Sequence, residues 1–354
     1  MSDSDASVSM DSGPGLDTLV DLRTVRKVGG TTLSGVPSII LDPNKFQLER
    51  MMQREHLVYG VATRHIGRRV ELELAYNAVR DAVNDDQLQL VSLVGNAGVG
   101  KTRLLAEMFN IIEPAKRGIR VLSAVCSESE SQDGLGVVAQ ILRRRFEVGP
   151  QDSETVAREK ILNSLEGTVE AKQLGTMSRQ IALLIGLRPE EAPQPRGPGD
   201  TQEFRQYALR TFYNLLFHEA NRYAHVLVFH RAQFLTDRAA TVLRGLITAL
   251  ADTPSAIFMV GDAACPETLI GAAAHSVSID MKPLPPKDME RLVRHILQKI
   301  PDPPDDLIND IVTRSSGSPR LSEDNIRLLV QRGVIKASET EWSYIPGASN
   351  LDEP

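Results

Sequence analysis

The chain has 354 residues, a formal net charge of −6, 42% hydrophobic and 24% charged residues, which is an ordinary globular composition. Those values exclude collagen-like, coiled-coil and wholly disordered proteins, and the length predicts two or three structural units. The acidic balance argues against a protein built mainly to coat nucleic acid or an anionic membrane, because both tasks need a strong positive field. The two cysteines, Cys126 and Cys265, are far apart, which argues against a disulfide framework or a structural zinc site and favours a reducing cytoplasm.

The two ends of the chain are polar. Residues 1–20 are predicted to be a disordered tail, and residues 345–354 a second tail. Residues 21–63 form an N-terminal segment with no assignable role, in which 25–41 is compatible with a hairpin and 46–58 has helical spacing. No signal-peptide pattern opens the chain, and no apolar run is long enough to cross a bilayer, so we expect no membrane partner.

Residues 64–285 alternate between buried strands and amphipathic helices. Short apolar runs predict strands at 88–94, 119–126, 226–229, 256–260 and 277–281. This rhythm predicts an α/β fold with a mostly parallel sheet covered on both faces. From 286 to 344 the strands stop, and three helical patterns followed by a hairpin predict a small α-helical lid.

The middle of the chain, from 134 to 187, is predicted to be mostly helical. Three consecutive arginines at 143–145 are interpreted as a solvated helix face rather than a patch for nucleic acid. Residues 189–200 hold four prolines and two glycines, which predicts a mobile loop.

A complete phosphate-binding motif follows the first buried strand. Residues 95–102 read GNAGVGKT and fit GxxxxGK[ST]. Glycines there let backbone N–H groups turn toward phosphate oxygens, a lysine adds a cation, and the Thr102 hydroxyl is placed to ligate Mg²⁺. Because a strand precedes the motif and a helix follows it, coincidence is a poor explanation. The predicted nucleotide ligands are Gly95, Asn96, Ala97, Gly98, Val99, Gly100, Lys101 and Thr102.

Hydrolysis of the nucleotide needs more than this loop. A carboxylate at the end of another strand usually holds the Mg²⁺ shell, and the natural place is just after 226–229. His230 and Arg231 stand there instead, so a cation replaces the anion that Mg²⁺ prefers. The sequence therefore predicts weak or lost hydrolysis, with both residues as solvated loop residues or Arg231 on a phosphate. Asp237 and Asp262 are the nearest candidates for a displaced catalytic carboxylate.

With these segments in hand, the chain resembles the signal-transduction branch of the AAA+ ATPases, whose modules are described as origin-recognition-complex-like AAA ATPase domains of bacterial regulators. Residues 64–72, RHIGRRVEL, resemble the opening box that lies near the adenine in relatives, which implies roles for Gly67 and Arg68. Residues 103–107 match the helix after the phosphate loop and add Arg103 to the implied site. Residues 226–237 are similar to the strand with its EDLHWAD segment, but both acidic positions are replaced.

The lid carries the last part of the resemblance. Gly317, Ser318 and Pro319 match a "GNP" motif that faces the phosphates in relatives, so Pro319 and the following Arg320 are implied site residues. The same residues also suit a plain helix boundary made by glycine and proline. The resemblance implies a P-loop NTPase of AAA+ type with ATP or ADP and Mg²⁺ as cofactors.

Several functions stay open from the sequence. The first is a cytoplasmic nucleotide-dependent switch in signalling or transcriptional regulation, with a protein partner or self-association and little hydrolysis. The second is an active ATPase that uses Asp237 or Asp262. A DNA-associated module is the third, and we expect nucleic acid not to be the partner because of the acidic charge balance. The fourth is a scaffold that has lost its nucleotide, which the intact phosphate loop disfavours.

Overall fold

A computed structural model describes residues 57–112, 118–127, 134–166, 168–187 and 198–345, with the side chains of the 198–220 helix described from residue 206 onward. The predicted tail at 1–20, most of the 21–63 segment, most of the predicted loop at 189–200 and nearly all of the tail at 345–354 lie outside these residues. The last three residues of that predicted loop, 198–200, are helical, so the prediction was wrong there. Within the described residues, no helix has both the length and the apolar character needed to span a bilayer.

The described chain begins with a short antiparallel hairpin and continues as alternating helices and strands. The hairpin consists of β1 (Leu57–Val58) and β2 (Val61–Ala62), so the end of the segment with helical spacing is a strand. In chain order there follow α1 (Arg69–Asp85), β3 (Gln89–Val94), α2 (Lys101–Ile112), β4 (Ile119–Val125), α3 (Leu135–Arg145), α4 (Glu154–Leu165), α5 (Ala171–Leu184), α6 (Pro198–Ala220), β5 (Ala224–His230), α7 (Asp237–Ala249), β6 (Ser255–Gly261), α8 (Glu267–Ile270), β7 (His275–Asp280), α9 (Pro286–Ile296), α10 (Asp305–Ser315), α11 (Pro319–Gln331), β8 (Ile335–Ala337) and β9 (Trp342–Tyr344).

The central sheet has five parallel strands in the order β4-β5-β6-β3-β7, which confirms the predicted α/β fold. Val94 at the end of β3 pairs with Gly261 of β6 and Asp280 of β7. All five strands therefore end at the same edge of the sheet, where loops can build a binding site.

Alternating strand residues supply two hydrophobic cores, one on each face of the sheet. Val226 and Val228 of β5 pack in the core that contains the buried sides of α1 and α2. Leu227 and Phe229 pack in the other core, with α3 to α7. Because side chains alternate between the faces of a strand, near-continuous apolar runs are what a doubly covered parallel sheet requires.

The arginines at 143–145 do not form a solvated face, so that prediction was wrong. Arg143 Nη2 donates to the Ile185 carbonyl at 2.5 Å, Arg144 Nη1 donates to Ser123, and Arg145 Nε donates to Glu219 Oε1 at 2.7 Å. Each guanidinium finds an acceptor on a different element, and charge-assisted hydrogen bonds offset the cost of partly burying the cation. The basic run thus fastens α3 to its neighbours.

Three helices, α9 to α11, and the β8–β9 hairpin form the predicted lid around a third core. Trp342 is fully buried there and donates from Nε1 to the Ser338 carbonyl at 3.2 Å. Val58 and Val61 of the N-terminal hairpin are part of the same core. Residues before the phosphate-loop domain in sequence therefore complete the lid in space.

Candidate functional site

A cleft of about 750 Å³ lies at the carboxyl edge of the sheet, between the phosphate loop and the lid. Its lining comes from residues 63–68, the phosphate loop with the start of α2, the chain at the ends of β5, β6 and β7, and the lid helices α9 and α11. Its volume is within the usual range for a small-molecule site, and its place at the ends of parallel strands is where open α/β sheets bind ligands.

Glycine is required where the phosphate loop leaves β3. Gly95 has a φ of +157°, and a Cβ there would lie 2.6 Å from the Met281 carbonyl oxygen. Gly98 has a φ of +85°, and a Cβ there would lie 2.7 Å from Ser318 Oγ. Side chains at either position would have to displace neighbouring atoms. The loop therefore keeps a tight turn whose backbone can approach phosphate oxygens closely.

Lys101 begins α2 and is held by three acceptors. Its Nζ donates to the Gly95 carbonyl, to the Asn96 carbonyl at 3.1 Å and to Asp262 Oδ1 at 2.7 Å. The Asp262 carboxylate, just after β6, also accepts from Gln233 Nε2 at 3.3 Å. The Asp262 carboxylate thus pairs with the Lys101 ammonium group, which would otherwise be available to a phosphate group.

The lid contacts the phosphate loop through the Gly98 carbonyl. Ser318 Oγ and the Arg320 backbone N–H each donate to that oxygen, both at 3.3 Å. The residue just before Ser318 is also held, since the Leu284 N–H donates to the Gly317 carbonyl at 2.8 Å. The start of α11 is thus hydrogen-bonded directly to the phosphate loop.

Part of the cleft lining is apolar and suits a planar base. This part consists of Ile66, Met281, Leu284 and Leu292. His65 also lines the cleft, and its Nε2 is buried with no hydrogen-bond partner in the described part of the chain. Burial lowers the pKa of His65, against a raising effect from Glu107, so the ring is neutral at pH 7. An unsatisfied ring nitrogen in the lining of the cleft fits a ligand that brings its own donor or acceptor.

The end of β5 carries no carboxylate. Burial lowers the pKa of His230 to about 4, with a further lowering effect from the Arg144 charge, so this imidazole is neutral. His230 is the last residue of the strand and only partly exposed, so it is not the solvated loop residue that was predicted. Arg231 is exposed, has a left-handed backbone (φ 57°) and stacks its guanidinium 4.5 Å from the centre of the Phe234 ring.

Positive groups outnumber negative groups in the lining of the cleft. Three carboxylates line it, Asp262, Glu323 and Asp324, and each has a cationic partner among the lining residues. Seven cationic side chains line it, namely Arg64, Arg68, Lys101, Arg103, Arg231, Arg320 and Arg327. Arg231 has no carboxylate partner within the described ranges. The cleft therefore presents a field that attracts an anionic ligand although the whole chain is acidic.

Most of the predicted site residues line the cleft, and a few do not. Those that line the cleft are Arg68, Ala97, Gly98, Val99, Gly100, Lys101, Thr102, Arg103, Asp262, Pro319 and Arg320. Gly95 and Asn96 contribute through the carbonyls that hold Lys101. Gly67 instead faces the lid, since a Cβ there would lie 3.0 Å from Asp288 Oδ2. Asp237 begins α7 and is not among the lining residues.

Sequence reasoning missed part of the lid's contribution. Glu323 and Arg327 line the cleft and pair with each other at 3.2 Å. Burial raises the pKa of Glu323, against the lowering effect of Arg327. Arg320, Asp324 and Arg327 are spaced four and three apart, which places them on one helix face, so the helical period was the signal that could have found them.

The comparisons with known proteins agree with this geometry. The sequence matches the AAA ATPase domain family over residues 64–260. This chain belongs to that family. Its phosphate loop, β5 and β6 all lie inside the matched region, whereas the lid follows it. No curated protein matches the sequence.

Three solved structures are similar to this AAA ATPase domain in fold. They are the Aeropyrum pernix ORC1 protein in complex with DNA (13% identity, TM-score 0.47, 82% of this chain and 66% of that one), Cdc6p from Pyrobaculum aerophilum (14%, 0.46, 77% and 64%) and Drosophila ORC bound to DNA (12%, 0.46, 88% and 67%). The chain thus spans about two thirds of the length of these proteins.

Proposed function

We propose that this AAA ATPase domain is a nucleotide-dependent switch in which ATP or ADP binds between the sheet and the lid and sets their relative angle. One observation carries the proposal: Ser318 and Arg320 of the lid both donate to the carbonyl of Gly98 in the phosphate loop. A ligand that rearranges this loop changes the lid contact at the same time, which is the differential interaction that a switch requires.

The nucleotide would lie across the cleft with its two ends in different surroundings. Its phosphates would accept hydrogen bonds from the backbone N–H groups of the phosphate loop and from Lys101. Its base would lie beside Ile66 and the unsatisfied Nε2 of His65. ATP is preferred over GTP on the basis of the resemblance to AAA+ signalling modules.

The Lys101–Asp262 pair supplies the difference between the free and bound states. An incoming phosphate would compete with Asp262 for the Lys101 ammonium group and displace the carboxylate, because the two anions repel each other when both are close to one cation. Released from its partner, Asp262 would be repelled by the phosphates while still bonded to Gln233 after β5. ATP carries one more phosphate group than ADP and would therefore displace Asp262 from Lys101 more effectively. The two nucleotides would then favour different lid positions.

We assign the switch to signalling or transcriptional regulation in the cytoplasm, acting through a protein partner or a second copy of the chain. Hydrolysis is weak in this account because His230 and Arg231 stand where relatives carry carboxylates. An active ATPase is the second candidate, and one observation favours it: the Asp262 carboxylate lines the cleft beside Lys101. That function predicts steady turnover that Lys101→Ala and Asp262→Asn both abolish.

A distance measurement across the cleft tests the switch. Spin labels would be attached at Arg244→Cys on α7 and Lys336→Cys on β8, both exposed positions. The natural thiols Cys126 and Cys265 are buried, and burial raises the pKa of Cys265 to about 11, so labelling is selective. We expect different distance distributions with ATP, with ADP and without nucleotide, and no difference in a Lys101→Ala background. One distribution under all three conditions would refute the switch.

A further inference from the structure

We infer that this cleft binds its nucleotide without a divalent cation, with the Arg231 guanidinium supplying charge that Mg²⁺ supplies elsewhere. The inference rests on the proposed function, since it concerns how the same cleft holds the same ligand. It starts from the donor set. Mg²⁺ prefers oxygen ligands and is usually held through one or two carboxylates together with substrate phosphates.

The side chains at the end of β5 do not fit the protein half of a magnesium site. The imidazole of His230 is neutral and largely buried, and Arg231 adds a positive charge where an anion would be needed. Asp262, the remaining carboxylate on the sheet side of the cleft, is neutralised by Lys101 at 2.7 Å. Within the described residues no group of three or more acidic, histidine or cysteine side chains is placed to hold a metal ion. Thr102 is left as a single neutral ligand.

The same residues fit a bare polyphosphate. Arg231 is exposed, lines the cleft and has no carboxylate partner in the described part of the chain. Its guanidinium carbon lies 4.5 Å from the centre of the Phe234 ring, and this cation–π contact leaves N–H groups available to an acceptor. Guanidinium groups bind phosphate through parallel hydrogen bonds, whereas Mg²⁺ would be repelled by the same charge.

The backbone of Arg231 supports a positioning role for this turn. Its φ of 57° is the left-handed conformation, which residues with a Cβ seldom adopt. The conformation turns the chain from the end of β5 into the segment at 232–234, whose Gln233 bonds to Asp262. Arg231 and Asp262 are thus joined on one edge of the cleft.

Calorimetric titration of the full chain with ATP tests the inference, at equal ionic strength, in excess Mg²⁺ and in excess EDTA. We expect the two dissociation constants to agree within about threefold, where a site that depends on Mg²⁺ would lose tenfold or more in EDTA. Arg231→Glu should weaken binding in EDTA at least about tenfold and make binding dependent on Mg²⁺. Arg244→Glu carries the same change in charge on the exposed side of α7 and should leave both constants unchanged.

The outcomes separate the inference from the proposed function. Binding that occurs in Mg²⁺ and is lost in EDTA would overturn the inference and leave the nucleotide switch standing. Equal behaviour of Arg231→Glu and Arg244→Glu would also overturn it, because Arg231 would then act only through net charge. No binding in either buffer would refute the proposed function, and this inference with it.

Discussion

Asp262 Oδ1 lies 2.7 Å from Lys101 Nζ, so the lysine of the phosphate loop is paired with a carboxylate from the neighbouring strand β6. In Asp262→Asn the lysine would lose its competing anion, and the incoming phosphates would meet one fewer negative charge. We expect ATP to bind about threefold to tenfold more tightly as a result. Titration of wild type and variant measures this, with Asp252→Asn, an exposed position before β6, as the matched control.

The opposite result would favour the second candidate function. If Asp262→Asn leaves the affinity unchanged and abolishes a turnover that Lys101→Ala also abolishes, then Asp262 is a catalytic carboxylate and the switch account is wrong about hydrolysis.

Gly98 couples the phosphate loop to the lid, and alanine there should break the coupling. A Cβ would lie 2.7 Å from Ser318 Oγ, and the φ of +85° is strained for alanine. We expect Gly98→Ala to weaken nucleotide binding about tenfold or more and to speed hydrogen exchange at the start of α11. Gly186→Ala is the control, because Gly186 has a φ of +84° and open space around its Cβ position. Equal effects of the two substitutions on nucleotide binding would contradict the coupling.

A buried ion network far from the cleft should dominate stability. Glu219 is fully buried and pairs with Arg120 and with Arg145, the latter at 2.5 Å. Burial alone would raise the pKa of Glu219, but the hydrogen bond with His225 and the two arginine charges lower it below its usual range. Glu219→Gln should cost about 3–5 kcal/mol in the free energy of unfolding, because the arginines keep their charge without a partner.

Denaturant unfolding measures this cost, with Glu159→Gln on the exposed face of α4 as the control. A loss below about 1 kcal/mol would mean that water reaches the network and screens it.

As the pH falls, the buried histidines should lower the free energy of unfolding at pH values where the carboxylates are still ionised. Burial lowers the pKa of His230 to about 4, whereas an unfolded histidine titrates near 6.5. Below that unfolded value the unfolded chain takes up a proton that the folded chain does not. Stability is therefore complete above pH 6.5 and falls as the pH drops toward 4, by an amount of the order of 3 kcal/mol for this residue. The pKa values of His65 and His225 are lowered in the same direction.

Comparing His230→Gln with His218→Gln isolates the contribution of the strand end. His218 is exposed on α6. The loss of stability between pH 6.5 and 4 should shrink in His230→Gln and stay as in wild type in His218→Gln. An unchanged pH dependence in both variants would show that His230 is solvated in the folded protein.

Local patterns were enough to predict the sheet and the phosphate loop, since each depends on consecutive residues. The strand at 89–94, the glycines after it and Lys101 on the following helix could be found in one stretch of sequence. Asp262 could be placed at a strand end in the same way, but its pairing with Lys101 could not, because it joins residues 161 positions apart.

Long-range contacts account for what local patterns missed. The arginines at 143–145 have the composition of a solvated face, yet Arg145 meets Glu219 from the distant helix α6. Val58 and Val61 precede the sheet in sequence and pack in the lid, which periodicity alone cannot indicate. Glu323 and Arg327 were missed for a different reason, since they lie on the helix after the 317–319 motif and belong to no motif of their own.

The most direct test of the account is a calorimetric titration of the purified chain with ATP and with ADP, beside Lys101→Ala. Lys101 donates within the phosphate loop and lines the cleft, so removing its ammonium group should abolish saturable binding of both nucleotides. Saturable heat in wild type that disappears in the variant is the predicted result. No saturable heat in wild type, or equal heat in both proteins, would contradict the central claim that this cleft binds a nucleotide through its phosphate loop.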